Sequence, residues 1–164
     1  MKLSVIALAT IAMVVITALC GPRAASAYTP EHLAPRAAYL ERCGGCHGVD
    51  GLGHTALVPD LKGKAGYFLC DAEGRDYVSR LPNIVFSRIS DAEMAALLNY
   101  VTFDLGAPST PLHARPFTAA ELAHGRRNAL TIPDLEAYRG RVVDRLIAKC
   151  GAPTSLRTDY VTAK

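Results

Sequence analysis

The sequence contains no tryptophan, only four phenylalanines and only three methionines in 164 residues. It contains no internal repeat and no low-complexity tract, which excludes repeat and fibrous architectures. Neither sign of charge dominates, with 18 basic and 15 acidic residues, so a nucleic acid or another polyanion is not an expected partner. No grouping of a catalytic acid, base and nucleophile is visible either, so the residues give no reason to expect an enzyme.

The N-terminal segment has the three parts of a secretory signal. Lys2 precedes a largely apolar run, Leu3–Leu19, and the small residues Ala25, Ser26 and Ala27 follow it. This pattern predicts that residues 1–27 are a signal peptide, cleaved before Tyr28, and that the chain is exported.

Two other interpretations of this segment are weaker. An uncleaved membrane anchor would need a longer apolar run, and a lipid-anchored Cys20 would need a small residue where Leu19 stands. After cleavage we expect no stable membrane span. The mature chain would comprise residues 28–164, and the loss of Lys2 and Arg23 reduces the basic residues from 18 to 16, against 15 acidic ones. That length suffices for one compact domain with one core.

A five-residue motif carries the most specific chemistry in the chain. Cys43 and Cys46 are separated by two glycines and followed directly by His47. In this spacing each thiol can form a thioether to one vinyl group of a single porphyrin, and the adjacent imidazole becomes the proximal ligand of the iron. The motif therefore predicts one covalently attached haem c, with His47 bound to its iron.

Other uses of a Cys-x-x-Cys pair fit less well. A zinc site would need a second ligand pair at similar spacing, but Cys70 and Cys150 stand alone and far apart in the sequence. A redox dithiol would not need His47, and it would normally lie in a βαβ pattern that this sequence lacks. We expect Cys70 and Cys150 to form a disulfide instead, because an oxidising compartment favours pairing. The alternative is that both are buried thiols packed as small apolar residues.

The segments around the motif carry a family resemblance. A short predicted helix, Pro35–Arg42, precedes the motif, and Pro59 lies about a dozen positions beyond His47 within Val58–Gly63. A second predicted helix, from Ser90 to Asp104, has a capping box of Ser90 and Glu93 and apolar residues at helical spacing. Together these features resemble class I cytochrome c.

The resemblance implies an all-α cytochrome c fold around one covalently attached haem, over residues 28–105. In that fold the carbonyl of Pro59 accepts the Nδ1 hydrogen of His47, which fixes the tautomer and raises the basicity of the ligand. The helix from Ser90 then corresponds to the closing helix of the family, which crosses the N-terminal one.

One residue of the family pattern is missing. A methionine before the closing helix usually binds the distal face of the iron, but here Leu81-Pro82 stands where Met-Pro is expected. Leucine cannot bind iron, so the sixth position is empty, filled by water or supplied from elsewhere. Three weak candidates for a supplied ligand are Met94, His113 and His124. His32 and His54 are less suitable, since one precedes the first helix and the other follows the attachment site closely.

Residues 106–164 extend beyond the family domain. Ala107–Pro116 contains three prolines and predicts an extended connector. Two helices are expected to follow. Thr118 and Glu121 form the capping box of the first, and Pro133 occupies the first turn of the second, which ends at Gly151. One face of the second helix carries Leu135, Tyr138, Val142, Leu146 and Cys150. Residues 155–164 show no packing pattern and are expected to fray.

Three functions are compatible with these features. The first is a periplasmic monohaem electron carrier, soluble after export, whose redox partners would be a dehydrogenase and a terminal acceptor such as an oxidase. The second is a haem protein with an open distal site that binds gases or reacts with peroxide, with Arg80 or Asn83 as the nearest polar residues. The third is a haem subunit docked to an oxidoreductase through an exposed apolar stripe on the C-terminal helices.

Overall fold

The computed structural model describes residues 35–53 and 58–158. The predicted signal peptide, His32 and His54 lie outside these ranges. The described residues form α-helices joined by tight turns and contain no strand, which confirms the predicted all-α class. The helices are α1 (Pro35–Arg42), α2 (Gly44–His47), α3 (Ala72–Arg80), α4 (Pro82–Val85), α5 (Asp91–Asn99), α6 (Ala119–Arg127) and α7 (Leu135–Cys150). Short 3₁₀ segments lie at Ala65–Leu69, Ala107–Ser109 and Thr154–Arg157.

Helices α1 and α5 pack against each other and begin the first of two hydrophobic cores. Ser90 caps α5 as predicted: its hydroxyl accepts from the Glu93 amide, and the Glu93 carboxylate accepts from the Ser90 amide at 2.9 Å. Tyr39 of α1 is fully buried against this helix. The first core consists of Ala38, Tyr39, Ala65, Leu69, Met94, Ala95, Leu97, Leu98, Val101, Phe117 and Leu122.

The closing helix is not one uninterrupted α-helix. The α-helical part ends at Asn99, and Tyr100–Leu105 continues as a π-helix. The hydroxyl of Thr102 donates to the carbonyl of Leu98 at 2.8 Å, one turn back, and the Thr110 hydroxyl donates to the Thr102 carbonyl. These side-chain bonds occupy the carbonyl of Leu98, just before the π-helical turn, and that of Thr102 within it. The sequence predicted one regular helix from Ser90 to Asp104, and the π-helical turn departs from that prediction.

The connector after residue 105 begins with a short turn. Ala107–Ser109 forms a 3₁₀ turn with Ser109 buried, so the expected extended backbone was wrong over these three residues. Leu112, His113, Arg115 and Pro116 are exposed, as expected for a connector that runs over the surface. The predicted capping box of Thr118 and Glu121 is confirmed at the start of α6. Phe117 and Leu122, just before and within α6, belong to the first core.

Helix α7 differs from the prediction at one end only. Asp134 is its N-cap and accepts from the Ala137 amide, so Pro133 precedes the helix instead of occupying its first turn. Gly151 ends the helix in the left-handed region at φ 64°, a conformation that glycine adopts without strain. Beyond it, Leu156 is almost completely buried, so the expected fraying was wrong for this residue.

Helix α7 builds a second core against α3 and the 3₁₀ segment that precedes α3. This second core contains Phe68, Tyr77, Leu130, Val142, Val143, Leu146, Ala152 and Leu156. The predicted disulfide is confirmed: Cys70 and Cys150 are bonded, with their Cα atoms 6.3 Å apart. It ties the end of α7 to the turn before α3. No helix in the described ranges is both long and apolar enough to cross a membrane.

Gly125 marks the closest approach between α6 and α3. A Cβ atom built there would clash with the backbone carbonyl of Ser79, whereas a Cβ on Gly140 of α7 meets no atom within 4 Å. We therefore expect Gly125→Ala to reduce the free energy of unfolding by about 1–3 kcal/mol through overpacking. Gly140→Ala is the matched control and should stabilise the protein by up to about 1 kcal/mol, since alanine favours helix. Urea denaturation of both variants tests the contact, and equal effects would contradict it.

Arg75 of α3 joins three parts of the chain. Its guanidinium donates to both carboxylate oxygens of Glu121, at 2.6 and 3.0 Å, and to the carbonyls of Arg115 and Pro116. It also lies over the ring of Phe117, 4.3 Å from the centroid. The hydrogen bonds from Arg75 hold the pKa of Glu121 below its usual value of 4.5. The planar fork of arginine suits this site, and lysine could not reproduce it.

The Arg75–Glu121 pair predicts a stability that falls in acid. Because the carboxyl pKa is lower in the folded state, the contribution of Glu121 is complete above about pH 4.5 and is lost as the pH falls through the folded-state value. Arg75→Ala should cost about 2 kcal/mol at pH 7, while Arg88→Ala, at an exposed arginine, should cost little. Glu121→Gln should flatten the acid dependence of the unfolding free energy, measured from pH 3 to 6. An unchanged acid slope in Glu121→Gln would contradict this account.

Candidate functional site

The attachment motif lies at the end of α1 and forms the short helix α2. The Cys43 amide donates to the Tyr39 carbonyl at 2.8 Å, and the His47 amide donates to the Cys43 carbonyl at 2.9 Å, so the motif continues the helical hydrogen bonding. Both thiols are free of disulfides, with Cys43 half-buried and Cys46 exposed. Burial raises the pKa of the Cys43 thiol, which keeps it protonated at neutral pH.

Tyr39 ties α1 to the turn that follows the motif. Its hydroxyl donates to the Gly48 carbonyl at 2.6 Å, within the first core. Burial, reinforced by the neighbouring Cys43, raises the pKa of Tyr39 to about 12. The phenol is therefore neutral under ordinary conditions and acts as a fixed donor, holding the backbone just beyond His47 in place.

His47 has a defined tautomer. Its Nδ1 lies 2.9 Å from the carbonyl oxygen of Pro59, the contact that the family resemblance implies. A carbonyl only accepts, so Nδ1 carries the hydrogen and Nε2 keeps a lone pair. Burial lowers the pKa of His47, against the opposing effects of the Pro59 carbonyl and Asp60. The ring is thus neutral at pH 7, in the form that binds metals.

Asp60 fixes the loop that carries Pro59. Its carboxylate accepts from the Gly53 amide at 2.9 Å and from Lys64 at 3.1 Å. Burial alone would raise the pKa of Asp60, but these two hydrogen bonds and the charge of Lys64 outweigh it and hold the pKa below the usual value. The ionised carboxylate therefore ties Gly53 and Lys64 to the residue that directly follows Pro59, beside His47.

The motif opens into a cavity of about 330 Å³ between the two cores. This volume is within the range of small-molecule and cofactor sites in proteins. Its walls are largely apolar. The described residues that line it are Cys43, Cys46, His47, Val58, Pro59, Asp60, Leu61, Ala65, Phe68, Tyr77, Val78, Leu81, Pro82, Asn83, Ile84, Leu97, Leu98, Val101, Thr102, Leu135, Arg139 and Leu156.

None of the three distal-ligand candidates from the sequence lines this cavity. Met94 is 2% exposed within the first core, where it fills space among apolar side chains. His113 and His124 are exposed, and the His124 carbonyl accepts from the Asn128 amide group. Leu81, which replaces the expected methionine, does line the cavity. Among the described residues lining the cavity, His47 is the only histidine, methionine or lysine.

Of the two polar residues expected near an open distal site, Asn83 lines the cavity and Arg80 does not. Asn83 lines the cavity at the start of α4. Arg80 instead donates to the Asn128 carbonyl at 2.5 Å and to Asp76 at 2.6 Å, so its guanidinium holds α3 to the turn after α6. Arg80 was therefore wrongly expected as a group facing a bound ligand.

Helix α6 clamps the segment that bears Leu81 and α4. Arg126 donates to the carbonyls of Val85, Ser87 and Ile89, each within 2.8 Å, and to the Asp91 carboxylate at 2.6 Å. These bonds fix the backbone that follows the cavity-lining residues. Helix α6 thus stabilises this part of the cavity wall from outside, a role that no local sequence signal indicated.

The C-terminal helix also contributes directly to the site. Leu135 and Arg139 of α7 line the cavity together with Leu156, and Phe68 and Tyr77 complete the same wall. Sequence reasoning missed these residues. A signal was available for Arg139, since it lies four positions after Leu135 and so on the same helical face.

A structural zinc site finds no support in the part of the chain that the structure describes. No group of three or more histidine, cysteine or carboxylate side chains is close enough there to hold a metal ion. The two cysteines outside the motif are consumed by the disulfide.

Comparison with known proteins agrees with this geometry. No protein-family model matches the chain, and no solved structure matches it significantly. The chain is similar to cytochrome c-552 of Thermus thermophilus, at 26% identity over 119 residues, which covers 62% of this chain and 91% of the relative. A second cytochrome c-552, from a named strain of T. thermophilus, matches with the same identity and length, and the match covers 80% of that protein. This similarity indicates a c-type cytochrome.

The residues present fit the haem that a c-type cytochrome carries. Two free thiols and a neutral imidazole with an available Nε2 border one apolar cavity, and this is the donor set that haem c requires. The exposure of Cys46 at the rim leaves its thiol accessible for attachment.

Proposed function

We propose that this chain is an exported monohaem c-type cytochrome that carries single electrons between redox partners. The observation that carries the proposal is the cavity bordered by Cys43, Cys46 and His47, with Nδ1 of His47 bonded to Pro59. The similarity to cytochrome c-552 supports it independently.

Each residue has a defined role in the proposal. Cys43 and Cys46 would hold the haem by thioethers, and His47 would bind its iron through Nε2. Haem supplies reversible one-electron exchange at its iron. Pro59 and Tyr39 hold His47 and the following turn in place by hydrogen bonds, so the imidazole would keep its position in both oxidation states of the haem. The apolar side chains Leu81, Leu97 and Val101 exclude water from the cavity.

The exported location remains part of the proposal. A signal peptide over residues 1–27 and a disulfide between Cys70 and Cys150 both suit an oxidising compartment such as a periplasm. The partners would then be a dehydrogenase as donor and an oxidase or similar acceptor.

One observation favours a second candidate, a haem protein with an open distal site. Leu81 lines the cavity, whereas Met94, His113 and His124 do not. Apart from the motif residues Cys43, Cys46 and His47, Tyr77 is the described side chain in the wall whose type can bind haem iron, and its ring is stacked on Phe68 at 5.6 Å. A free sixth position would allow small ligands such as carbon monoxide or nitric oxide to bind.

The docked-subunit alternative loses its distinguishing feature. It required an exposed apolar stripe on the C-terminal helices, but Val142 and Leu146 are completely buried within the chain. The stripe packs in the second core and is not available to a partner.

The optical spectrum of the purified haem-loaded protein, with and without carbon monoxide, separates the first two candidates. A low-spin spectrum unchanged by carbon monoxide, with a redox titration that fits one electron, supports the carrier and excludes the open site. A high-spin spectrum that shifts with carbon monoxide establishes the open site and contradicts a six-coordinate carrier. Tyr77→Phe, compared with Tyr138→Phe outside the cavity, tests whether the Tyr77 hydroxyl controls the result.

A further inference from the structure

Arg139 is a charged side chain buried in the wall of the cavity. It lies on α7 and is 4% exposed. Its guanidinium donates to the Leu156 carbonyl at 3.1 Å and lies 6.0 Å from the centre of the Phe68 ring. Both of these neighbours also line the cavity. The C-terminal extension therefore places a fixed positive charge at the site.

The positive charge of the Arg139 guanidinium has no equivalent among the other described residues of the cavity wall. Arg139 is the only arginine or lysine among the described residues that line it. The Nδ1 of His47 is bonded to the Pro59 carbonyl, and the Asp60 carboxylate is engaged by Gly53 and Lys64. A carboxylate buried in a largely apolar cavity needs a cation beside it, and guanidinium matches a carboxylate with two parallel hydrogen bonds.

The position of Arg139 relative to the attachment motif suggests which carboxylate it meets. Cys43 packs against the first core, whereas Phe68 and Leu156, the neighbours of Arg139, belong to the second core. The motif and the guanidinium thus border the cavity from different cores. In haem the vinyl groups that react with cysteine and the two propionates lie on opposite edges of the porphyrin, so a group anchored at Cys43 and Cys46 directs its carboxylates away from them.

We propose that Arg139 binds a haem propionate, which makes the C-terminal helix α7 part of the cofactor site. This inference rests on the proposed function. Arg139 is a positioning residue: it orients the haem edge opposite the thioethers and neutralises a buried carboxylate. Since a positive charge nearby disfavours the ferric form, Arg139 also raises the midpoint potential.

Removing the charge should have two measurable effects. In Arg139→Gln the midpoint potential falls at neutral pH, because the propionate charge is no longer balanced. The propionate pKa rises by about 1–3 units when its cationic partner is lost. The potential then becomes pH-dependent where the propionate ionises, and it decreases as the pH increases. In the wild type that ionisation lies at lower pH, so the potential changes less between pH 5 and 8.

The experiment compares haem-loaded Arg139→Gln, Arg139→Lys and Arg141→Gln with the wild type. Arg141 is exposed on the same helix, with its guanidinium over the Tyr138 ring, and is the matched control. Haem content by pyridine haemochrome comes first, and spectroelectrochemical titration from pH 5 to 8 follows. We expect a lower, more pH-dependent potential in Arg139→Gln, substantial recovery in Arg139→Lys and no change in Arg141→Gln.

Several outcomes would overturn the inference. A destabilised Arg139→Gln with wild-type potential and pH profile assigns Arg139 a purely structural role through Leu156. An unchanged potential with weakened azide binding assigns it to an anion on the iron instead. If the glutamine variant does not fold, infrared difference spectra of wild-type protein with ¹³C-labelled propionates decide: the inference requires that one propionate stay ionised at pH 5. A wild type without attached haem would refute the proposed function, a result distinct from all of these.

Discussion

A chain carrying Cys43→Ser and Cys46→Ser is expected to retain no covalently bound haem. Serine hydroxyls cannot form the thioethers, and His47 alone holds haem only reversibly. Both thiols border the cavity and neither is used in a disulfide, so the substitutions remove no other bond. The measurement is haem staining of a denaturing gel, together with pyridine haemochrome after acid–acetone extraction, for protein produced with haem-attachment machinery. Single substitutions should leave one thioether and reduce the yield of attached haem.

The chain provides a matched control for this loss. Cys70→Ser with Cys150→Ser also removes two cysteines, but it removes the pair outside the cavity wall. This second variant should keep full haem attachment when it is produced at low temperature. Covalent haem in the Cys43/Cys46 variant, or its loss in both variants to the same degree, would contradict the assignment of the motif.

The same control variant is expected to be strongly destabilised. The Cys70–Cys150 disulfide closes a loop with a sequence separation of 80. In the chain-entropy picture a cross-link of this length stabilises the fold by about 4 kcal/mol, because it restricts the unfolded chain. Guanidinium denaturation of the holoprotein, followed by far-ultraviolet circular dichroism, should show that loss in the unfolding free energy.

Loss of the disulfide should also increase the local opening of the helix that lines the cavity. Helix α7 carries Leu135 and Arg139 into the cavity wall, and the disulfide ties its last residue to the turn before α3. Hydrogen exchange in the variant should therefore increase first in α7 and Thr154–Arg157, and less in α1. A uniform increase across all helices, or a loss of stability far below the roughly 4 kcal/mol of the chain-entropy picture, would show that packing of the second core already holds α7 in place.

The parts of the fold that the sequence predicted are those with strong local signals. The capping boxes at Ser90 and Thr118 satisfy backbone amides within one turn, so their helices begin where the residues indicate. The Cys70–Cys150 disulfide followed from counting the cysteines that the motif leaves over in a chain that was expected to be exported. Neither inference needed knowledge of distant contacts.

The parts that the sequence did not predict depend on contacts between distant segments. Helix α3 is capped by Asp71, which was overlooked, and its Gly74 packs against Phe68 and against Leu146, a residue far along the chain in α7. The clamp of Arg126 on the carbonyls of Val85, Ser87 and Ile89 has no periodicity to reveal it. Arg139, a buried arginine in α7, was not singled out from the sequence.

The candidate site likewise has one part that the sequence predicted and one part that it did not. Its proximal half, from Cys43 to Pro59, is encoded in one short stretch of sequence and was identified from spacing and family resemblance. Another part of the cavity wall brings together Leu81, Arg139 and Leu156, which come from segments that are far apart in the chain. The three residues suggested as distal ligands had the right chemistry but lie in the first core or on the surface.

The intact mass of the wild-type protein under denaturing conditions tests the central claim most directly. The full chain is produced in a bacterial host that attaches haem to exported proteins, and the secreted form is analysed without reduction. The account predicts one species, beginning at Tyr28, whose mass equals that of the mature chain with one haem added and one disulfide formed. A folded mature chain without added mass, whose Cys43 and Cys46 thiols both react with an alkylating reagent, would contradict it.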